Sequence, residues 1–210
     1  MRQLATDRGA VETVMFRDGF LTEASASNVL VVIGGTIVVP PKDNHILPGI
    51  TYDATMEFAR EAGIPLEVMN AGVSGDTSAD GLRRASWALE GDVRLLILAL
   101  GANDGLRGLP PTQMKENLQS IIHRARQRAI PVLLVGMEAP PNFGEQYIAA
   151  FRQVFRDLAR ENKITLVPFL LEGVAGVPDL NQADGIHPTS SGAARIADHL
   201  LPAVKTMIQK

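Results

Sequence analysis

The sequence predicts an α/β protein in which helices cover both faces of a parallel sheet. Short apolar runs of strand length alternate with longer segments of helical periodicity, and the strands are apolar throughout rather than at every second residue. Of the 210 residues, 46% are hydrophobic, which is enough for a substantial core. We therefore expect a three-layer α/β/α domain around a five-stranded parallel sheet, with a β-rich appendage at the N-terminus.

The expected elements follow in chain order. The five apolar runs are residues 29–33, 66–69, 95–100, 132–137 and 165–168. A first helix is expected over residues 50–63, where Gly63 and Pro65 give a stop signal. Three later segments carry apolar residues at helical spacing: Leu118, Ile121, Ile122 and Ala125; Phe151, Val154, Phe155 and Leu158; and Ile196, Leu200 and Val204.

The first forty residues have a different, antiparallel character. Gly34 and Gly35 separate the apolar runs NVLVVI and TIVVPP, which is typical of a two-residue hairpin turn. Pro40 and Pro41 then end the second strand. The run at 29–33 also has the length of a central sheet strand, so a hairpin and a central strand are competing interpretations.

Composition excludes several classes of function. With 20 basic and 23 acidic residues, the formal net charge is −3, and no basic run indicates a nucleic-acid partner. The absence of cysteine excludes a disulfide framework and a thiolate nucleophile. No apolar run is long enough to span a membrane, and the first residues lack a signal-peptide pattern. We expect no membrane association, a cytoplasmic location by default, and no metal or organic cofactor.

The strongest chemical motif is Asp184-Gly185-Ile186-His187-Pro188. An acid three residues before a histidine can accept a hydrogen bond from the imidazole and leave the other ring nitrogen free as a general base. By itself, this pattern is more typical of a surface loop that caps a helix.

Two further motifs follow apolar strands. In GANDG, Asn103 can aim its side-chain N–H at a developing oxyanion. In NAGVSGDT, Gly75 can offer a backbone N–H where a side chain would block the substrate. Each motif is alone compatible with an ordinary turn. Ligands of open α/β sheets bind beyond the carboxyl ends of strands, which is where both motifs lie.

Taken together, these segments resemble a known family. NAGVSGDTSADGLRR, LALGANDGLRGLPP and LNQADGIHP are similar to consecutive blocks of the SGNH-type (GDSL-like) ester hydrolases, in particular of the arylesterase, acyl-CoA thioesterase and lysophospholipase group. The resemblance implies a flavodoxin-like three-layer fold and hydrolysis of small acyl esters or thioesters. It implies that Gly75 and Asn103 are oxyanion-hole donors, that His187 is the general base and that Asp184 orients it. The family's Gly-Asp-Ser segment with the nucleophilic serine is absent.

The first seventy residues resemble a second family. FRDGFLTEASASNVLVV and PPKDNHILPGITYDATMEFAREAGIPLEV are similar to a fragment of a fold-type IV pyridoxal-phosphate aminotransferase of the D-alanine or branched-chain group. The resemblance places Glu23 opposite the pyridine nitrogen, and Ile50 and Thr51 at the phosphate. The family's Schiff-base lysine would lie before Met1, and Lys42 does not match its position. We therefore expect no cofactor chemistry.

The two resemblances predict a chimera joined near residues 67–70. Residues 1–69 would supply a β-hairpin, the first sheet strand and the first helix, and residues 70–210 the hydrolase-like region of one folded domain. The expected function is an SGNH-type esterase or thioesterase that the absence of the family's serine impairs; the alternative is a folded but inactive chimera. Free edges of the β appendage could favour a homodimer.

Thr36 is the best positional candidate for the missing nucleophile. If NVLVVI aligns with the family's first strand, Gly34-Gly35-Thr36 aligns with Gly-Asp-Ser. A secondary hydroxyl on a β-branched side chain is a poorer nucleophile site than serine. Ser25, Ser27, Ser74 and Ser78 are the other hydroxyls considered, and the absence of any functional nucleophile is the remaining alternative.

Overall fold

The structure, a computed structural model, describes residues 71–73 and 75–208, and it also gives the backbone of four strands within residues 14–38. The chain divides into two compact units, Met1–Ser74 and Gly75–Lys210, and each is described by itself. The boundary lies close to the expected join of the two sequence segments.

The first unit contains two antiparallel hairpins. Strand β1 (Val14–Arg17) pairs with β2 (Phe20–Ala24), and strand β3 (Val31–Ile33) pairs with β4 (Thr36–Val38). Ile33 lies opposite Thr36 in the second hairpin, so the connection has two residues. The hairpin predicted from Gly34-Gly35 is therefore confirmed.

The described pairing contradicts the expectation that the run at 29–33 takes the central position of the parallel sheet. Strand β3 lies in a separate two-stranded sheet with β4. A two-residue turn brings neighbouring strands together at little cost in loop entropy, whereas a parallel partner requires a long crossover. The expected helix at 50–63 and the strand at 66–69 lie outside the described residues.

The second unit is built on a parallel sheet. Strands β5 (Leu96–Leu98), β6 (Val132–Val135) and β7 (Thr165–Val167) are hydrogen-bonded in that order. These are three of the five expected strands, at the predicted positions. Each is shorter than its apolar run in the sequence.

Five helices connect and flank these strands in the described part of the chain. They are α1 (Ser78–Ala88), α2 (Ala102–Leu106), α3 (Pro111–Gln127), α4 (Glu145–Asn162) and α5 (Ser190–Ile208). The apolar faces predicted for α3 and α4 are buried, as are Ile196 and Leu200 of α5. Periodicity identified these faces correctly because an amphipathic helix buries one stripe of side chains.

Helices cover both faces of this sheet. Val132 and Leu134 belong to the core that α1, α3 and α4 share. Leu133 and Val135 point to the opposite face, because strand side chains alternate, and they are buried too. Helix α5 packs against β7. The second unit therefore has the expected α/β/α layering. None of the helices in the described residues is long and apolar enough to cross a membrane.

Candidate active site

The first part of the candidate site is the loop that enters α1. Gly75 has a φ of +81°, a left-handed conformation that favours glycine. Thr77 caps α1 in a capping box: its side chain accepts from the Asp80 N–H, and the Asp80 carboxylate accepts from the Thr77 N–H at 2.9 Å. The left-handed backbone conformation therefore explains why position 75 is a glycine. The Thr77 cap fixes the loop where it enters α1.

The second part is the start of α2, directly beyond β5. Asn103 lies in the first turn of this helix, and its Nδ2 donates to the backbone carbonyl of Asp76 at 2.9 Å. Asp76 is the neighbour of Gly75, so this bond brings the two predicted oxyanion-hole residues onto adjoining loops. Among the described residues, none accepts the second Nδ2 hydrogen of Asn103.

A buried network joins the same two loops behind Gly75 and Asn103. The Ser78 hydroxyl donates to Asp104 Oδ1 at 2.6 Å, and the Ser78 N–H donates to Oδ2 at 2.7 Å. Asn117 of α3 donates to the Ser78 hydroxyl at 2.9 Å. All three side chains are buried, so these bonds satisfy polar groups that water does not reach. Ser78 is fully buried and its hydroxyl is engaged, so this side chain holds the two loops together.

The third part is the loop before α5, where Asp184 and His187 pair as predicted. Asp184 Oδ2 lies 2.7 Å from His187 Nδ1. The other carboxylate oxygen accepts the backbone N–H groups of Ile186 and His187, each at 3.0 Å. The Asp184 carboxylate therefore holds both the backbone turn and the imidazole ring.

These hydrogen bonds also set the charge of the acid. The backbone N–H of His187, the His187 side chain and the backbone N–H of Ile186 lower the pKa of Asp184 from 3.8 to about 2. Asp184 is consequently ionised at neutral pH and can only accept. A neutral His187 must then carry its proton on Nδ1, which leaves Nε2 as the basic nitrogen.

The loop around this pair is fixed by its own hydrogen bonds. The backbone N–H of Gln182 donates to the His187 carbonyl at 2.7 Å, and its side chain donates to the Pro188 carbonyl at 3.0 Å. Asn181 is buried and donates to the carbonyls of Val174 and Val177. The side chains of His187 and Asp184 remain 57% and 46% exposed, so Nε2 is open to a substrate.

The structure therefore brings the predicted residues together as two pairs, Gly75 with Asn103 and Asp184 with His187. Asn103 follows the carboxyl end of β5, and Asp184 and His187 come after β7 in the chain. Thr36 begins strand β4, and its side chain is outside the described residues, as is Ser74. Among the described side chains, none donates a hydrogen bond to His187 Nε2.

Sequence reasoning missed three residues that hold the site together. Asp104 and Arg107 both follow Asn103 in the motif GANDGLR, and that proximity was a signal for them. Arg107 Nη2 donates to the Gly75 carbonyl at 2.9 Å. Nothing in the sequence pairs Asn117 with this site, because it comes from the middle of α3. In the described part of the chain, no group of three or more His, Cys, Asp or Glu side chains could hold a metal ion.

The second unit combines a parallel sheet flanked by helices with an Asp184–His187 pair and the hydrogen-bonded loops of Gly75 and Asn103. The model of the GDSL-like lipase/acylhydrolase family matches residues 50–195. That match spans more than half of the chain, so the chain belongs to this family. It is thereby placed among the carboxylic-ester hydrolases of the SGNH type.

Relatives and solved structures agree with this assignment. The chain is 38% identical over 196 residues to esterase TesA of Pseudomonas aeruginosa, covering 90% of this chain and 93% of the relative. It is 36% identical over 142 residues to thioesterase 1/protease 1/lysophospholipase L1 of Escherichia coli, covering 67% of this chain and 68% of the relative. A crystal structure of TesA superposes with a TM-score of 0.71 at 42% identity, covering 75% of this chain and 88% of that one.

A second family model overlaps the first. The amino-transferase class IV model matches residues 1–89. The chain thus has a two-part composition, as its sequence predicted. The two models share residues 50–89, and the predicted join at 67–70 lies inside this shared range.

Proposed function

We propose that this chain hydrolyses small acyl esters or thioesters by an SGNH-type mechanism, at a rate reduced by the loss of the family's serine. The observation that carries the proposal is the Asp184–His187 pair, with 2.7 Å between Oδ2 and Nδ1 and an ionised Asp184. Relatives named as an esterase and as a thioesterase support the substrate class.

The chemistry assigns one task to each residue. His187 Nε2 takes the proton from an attacking hydroxyl or water, and the imidazolium then returns it to the leaving oxygen or sulfur. The tetrahedral intermediate places a negative oxygen at the Gly75 N–H and the Asn103 side chain. Donors that are fixed before the reaction stabilise this charge without reorganising. The hydrogen bonds between the Gly75 loop and α2 would fix the donors in this way.

Thr36 is the proposed nucleophile. The match to TesA covers 90% of this chain, more than the residues after position 70 could supply, so it extends into the segment that contains NVLVVI. If NVLVVI aligns with the family's first strand, Thr36 aligns with the family's serine; the hairpin that pairs Ile33 with Thr36 competes with this alignment. The β-branched side chain of Thr36 restricts χ1, and we attribute the expected low rate to this restriction.

The proposal is tested by hydrolysis of p-nitrophenyl acetate and of an acyl thioester. His187→Ala should abolish the rate above background, and Asn103→Ala should lower turnover by about 10²–10³, the usual effect of losing one oxyanion donor. Thr36→Ser should raise the rate and Thr36→Ala should abolish it.

His123→Ala is the matched control, because His123 is an exposed histidine of α3 whose ring contacts only Gln127 among the described residues. It should leave the rate unchanged. Equal rates for the wild type and His187→Ala would instead favour the alternative, a folded and inactive fusion of an aminotransferase fragment with a hydrolase. If both Thr36 substitutions leave the rate unchanged, water or another hydroxyl is the nucleophile.

A further inference from the structure

The loop of Gly75 is held by side chains from one short helix. Asn103 at the start of α2 donates to the Asp76 carbonyl at 2.9 Å, and Arg107 at its end donates to the Gly75 carbonyl at 2.9 Å. The backbone N–H of Arg107 bonds the Asn103 carbonyl at 3.1 Å, which keeps the two donors one turn apart. The carbonyls of Gly75 and Asp76 therefore both accept hydrogen bonds from side chains that lie one helical turn apart.

Gly75 needs such a restraint more than most residues would. It has no Cβ, and its φ of +81° lies in a region that glycine enters and leaves freely. The capping box fixes Thr77, and Asn103 fixes Asp76, but neither reaches Gly75 itself. Arg107 holds the Gly75 carbonyl, which belongs to the peptide plane between Gly75 and Asp76. The Gly75 N–H lies in the preceding peptide plane, so Arg107 restrains its direction by limiting rotation about the φ and ψ bonds of Gly75.

Arg107 also brings charge to this position. Its Nη2 lies 4.0 Å from the point where a Cβ of Gly75 would stand. The side chain is exposed, and its described hydrogen bond goes to a neutral carbonyl, so no described carboxylate neutralises it. A guanidinium at this point favours a negative oxygen over a neutral one.

We propose that Arg107 is a positioning residue of the oxyanion hole, which holds the Gly75 carbonyl so that the Gly75 N–H stays aimed at the developing oxyanion. This inference rests on the proposed function. It adds a residue that acts through Gly75 and needs no contact with the substrate.

The kinetic test compares Arg107→Ala and Arg107→Lys with the wild type. Arg107→Ala should lower kcat by about tenfold to a hundredfold, less than the removal of a donor, with KM nearly unchanged. Arg107→Lys keeps one donor and the charge, and it should recover part of the loss. Arg160→Ala is the matched control, since this arginine is 70% exposed on α4 and pairs only with Asp157 in the described residues. It should have wild-type kinetics.

A second measurement is independent of catalysis. The ¹⁵N order parameter of Gly75 should be about 0.85 in the wild type and in Arg160→Ala, and should fall below about 0.6 in Arg107→Ala. An unchanged order parameter in Arg107→Ala would overturn the inference. If the wild type and His187→Ala hydrolyse esters equally, the proposed function fails, while the order parameters still decide whether Arg107 holds Gly75. A larger KM with unchanged kcat would identify Arg107 as a substrate-binding residue and would also overturn it.

Discussion

At the scale of single residues, Asp184 is the acid whose state the structure defines most closely. Two backbone N–H groups and the His187 ring converge on one carboxylate. This arrangement stabilises the ionised form although the side chain is 46% exposed. An exposed acid with a strongly lowered pKa is therefore a mark of local hydrogen bonding rather than of burial.

We predict that Asp184 titrates with a midpoint of about 2 rather than 3.8, measured by ¹³C NMR of the side-chain carboxyl. In His187→Ala the midpoint should rise, yet stay below 3.8, because the backbone N–H groups of residues 186 and 187 still donate. Because folding lowers the pKa of Asp184, the ionised carboxylate stabilises the folded state above pH 3.8. This stabilisation is lost as the pH falls towards 2. A wild-type midpoint near 3.8 would show that these hydrogen bonds do not form.

Ser78 gives a second prediction at this scale. Ser78→Ala removes a hydroxyl that donates to Asp104 and accepts from Asn117, all within the buried region. Leaving buried polar groups with fewer partners costs about 1–3 kcal/mol, and we expect a loss of that size in chemical denaturation.

Ser86→Ala provides the comparison for Ser78→Ala. Ser86 lies on the exposed side of the same helix, α1, where its hydroxyl accepts a long hydrogen bond from Arg124 at 3.3 Å. This substitution should change the free energy of unfolding by less than about 0.5 kcal/mol. Equal effects of the two substitutions would refute the role assigned to the buried network.

At the scale of elements, α5 packs closely against the loop that carries Asp184 and His187. Gly192 lies in the first turn of this helix, and a Cβ there would stand 2.2 Å from the Leu180 carbonyl oxygen and 3.0 Å from Pro188 Cβ. The same carbonyl accepts the backbone N–H of Thr189 at 2.9 Å. The missing side chain lets the helix and the loop approach each other.

We predict that Gly192→Ala destabilises the protein by about 1–3 kcal/mol, because the added carbon must displace backbone. It should also shift the NMR resonances of Asp184 and His187, since the loop between Leu180 and Thr189 has to move. Ser191→Ala, at an exposed position of the same turn, should do neither. Wild-type stability in Gly192→Ala would mean that α5 and the loop are not packed as described.

At the scale of the whole molecule, the chain joins segments that resemble two families. The amino-transferase class IV model matches residues 1–89, and the sequence resemblance predicts that Glu23, Ile50 and Thr51 occupy the family's cofactor-contacting positions. By the same resemblance, Lys42 does not match the position of the family's anchoring lysine. Without it, pyridoxal phosphate has no covalent attachment that could start transamination.

We predict that the full chain forms no stable internal aldimine with added pyridoxal phosphate. After removal of excess cofactor, an absorbance scan should show no band above about 400 nm. Free pyridoxal phosphate reacts weakly with surface lysines, so Lys42→Ala is the informative comparison. A stable band in the wild type that is lost in Lys42→Ala would contradict the prediction.

Several parts of this protein could be read from sequence because their signals are local. The apolar faces of α3 and α4 follow from helical spacing, and the strands β5, β6 and β7 from continuous apolar runs. The pairing of Asp184 with His187 follows from three residues of separation across one turn. Even the hairpin of β3 and β4 was visible in Gly34-Gly35. Each of these features depends on residues that are close neighbours along the chain.

The tertiary structure decided the features that link distant residues. The apolar run at 29–33 could pair with its neighbour or enter the parallel sheet, and its residues suit both. Only the observed pairing of Val31–Ile33 with β4 distinguishes the two arrangements. The Ser78 hydroxyl is bonded to Asp104 and Asn117, which lie 26 and 39 positions further along the chain, so no local pattern could reveal these contacts. Arg107 reaches Gly75 across 32 positions of sequence. The sequence by itself determined the family and the residue types that carry the chemistry, because motifs and periodicity are local. Packing decided which side chains meet, because contacts between distant segments depend on how the whole core assembles.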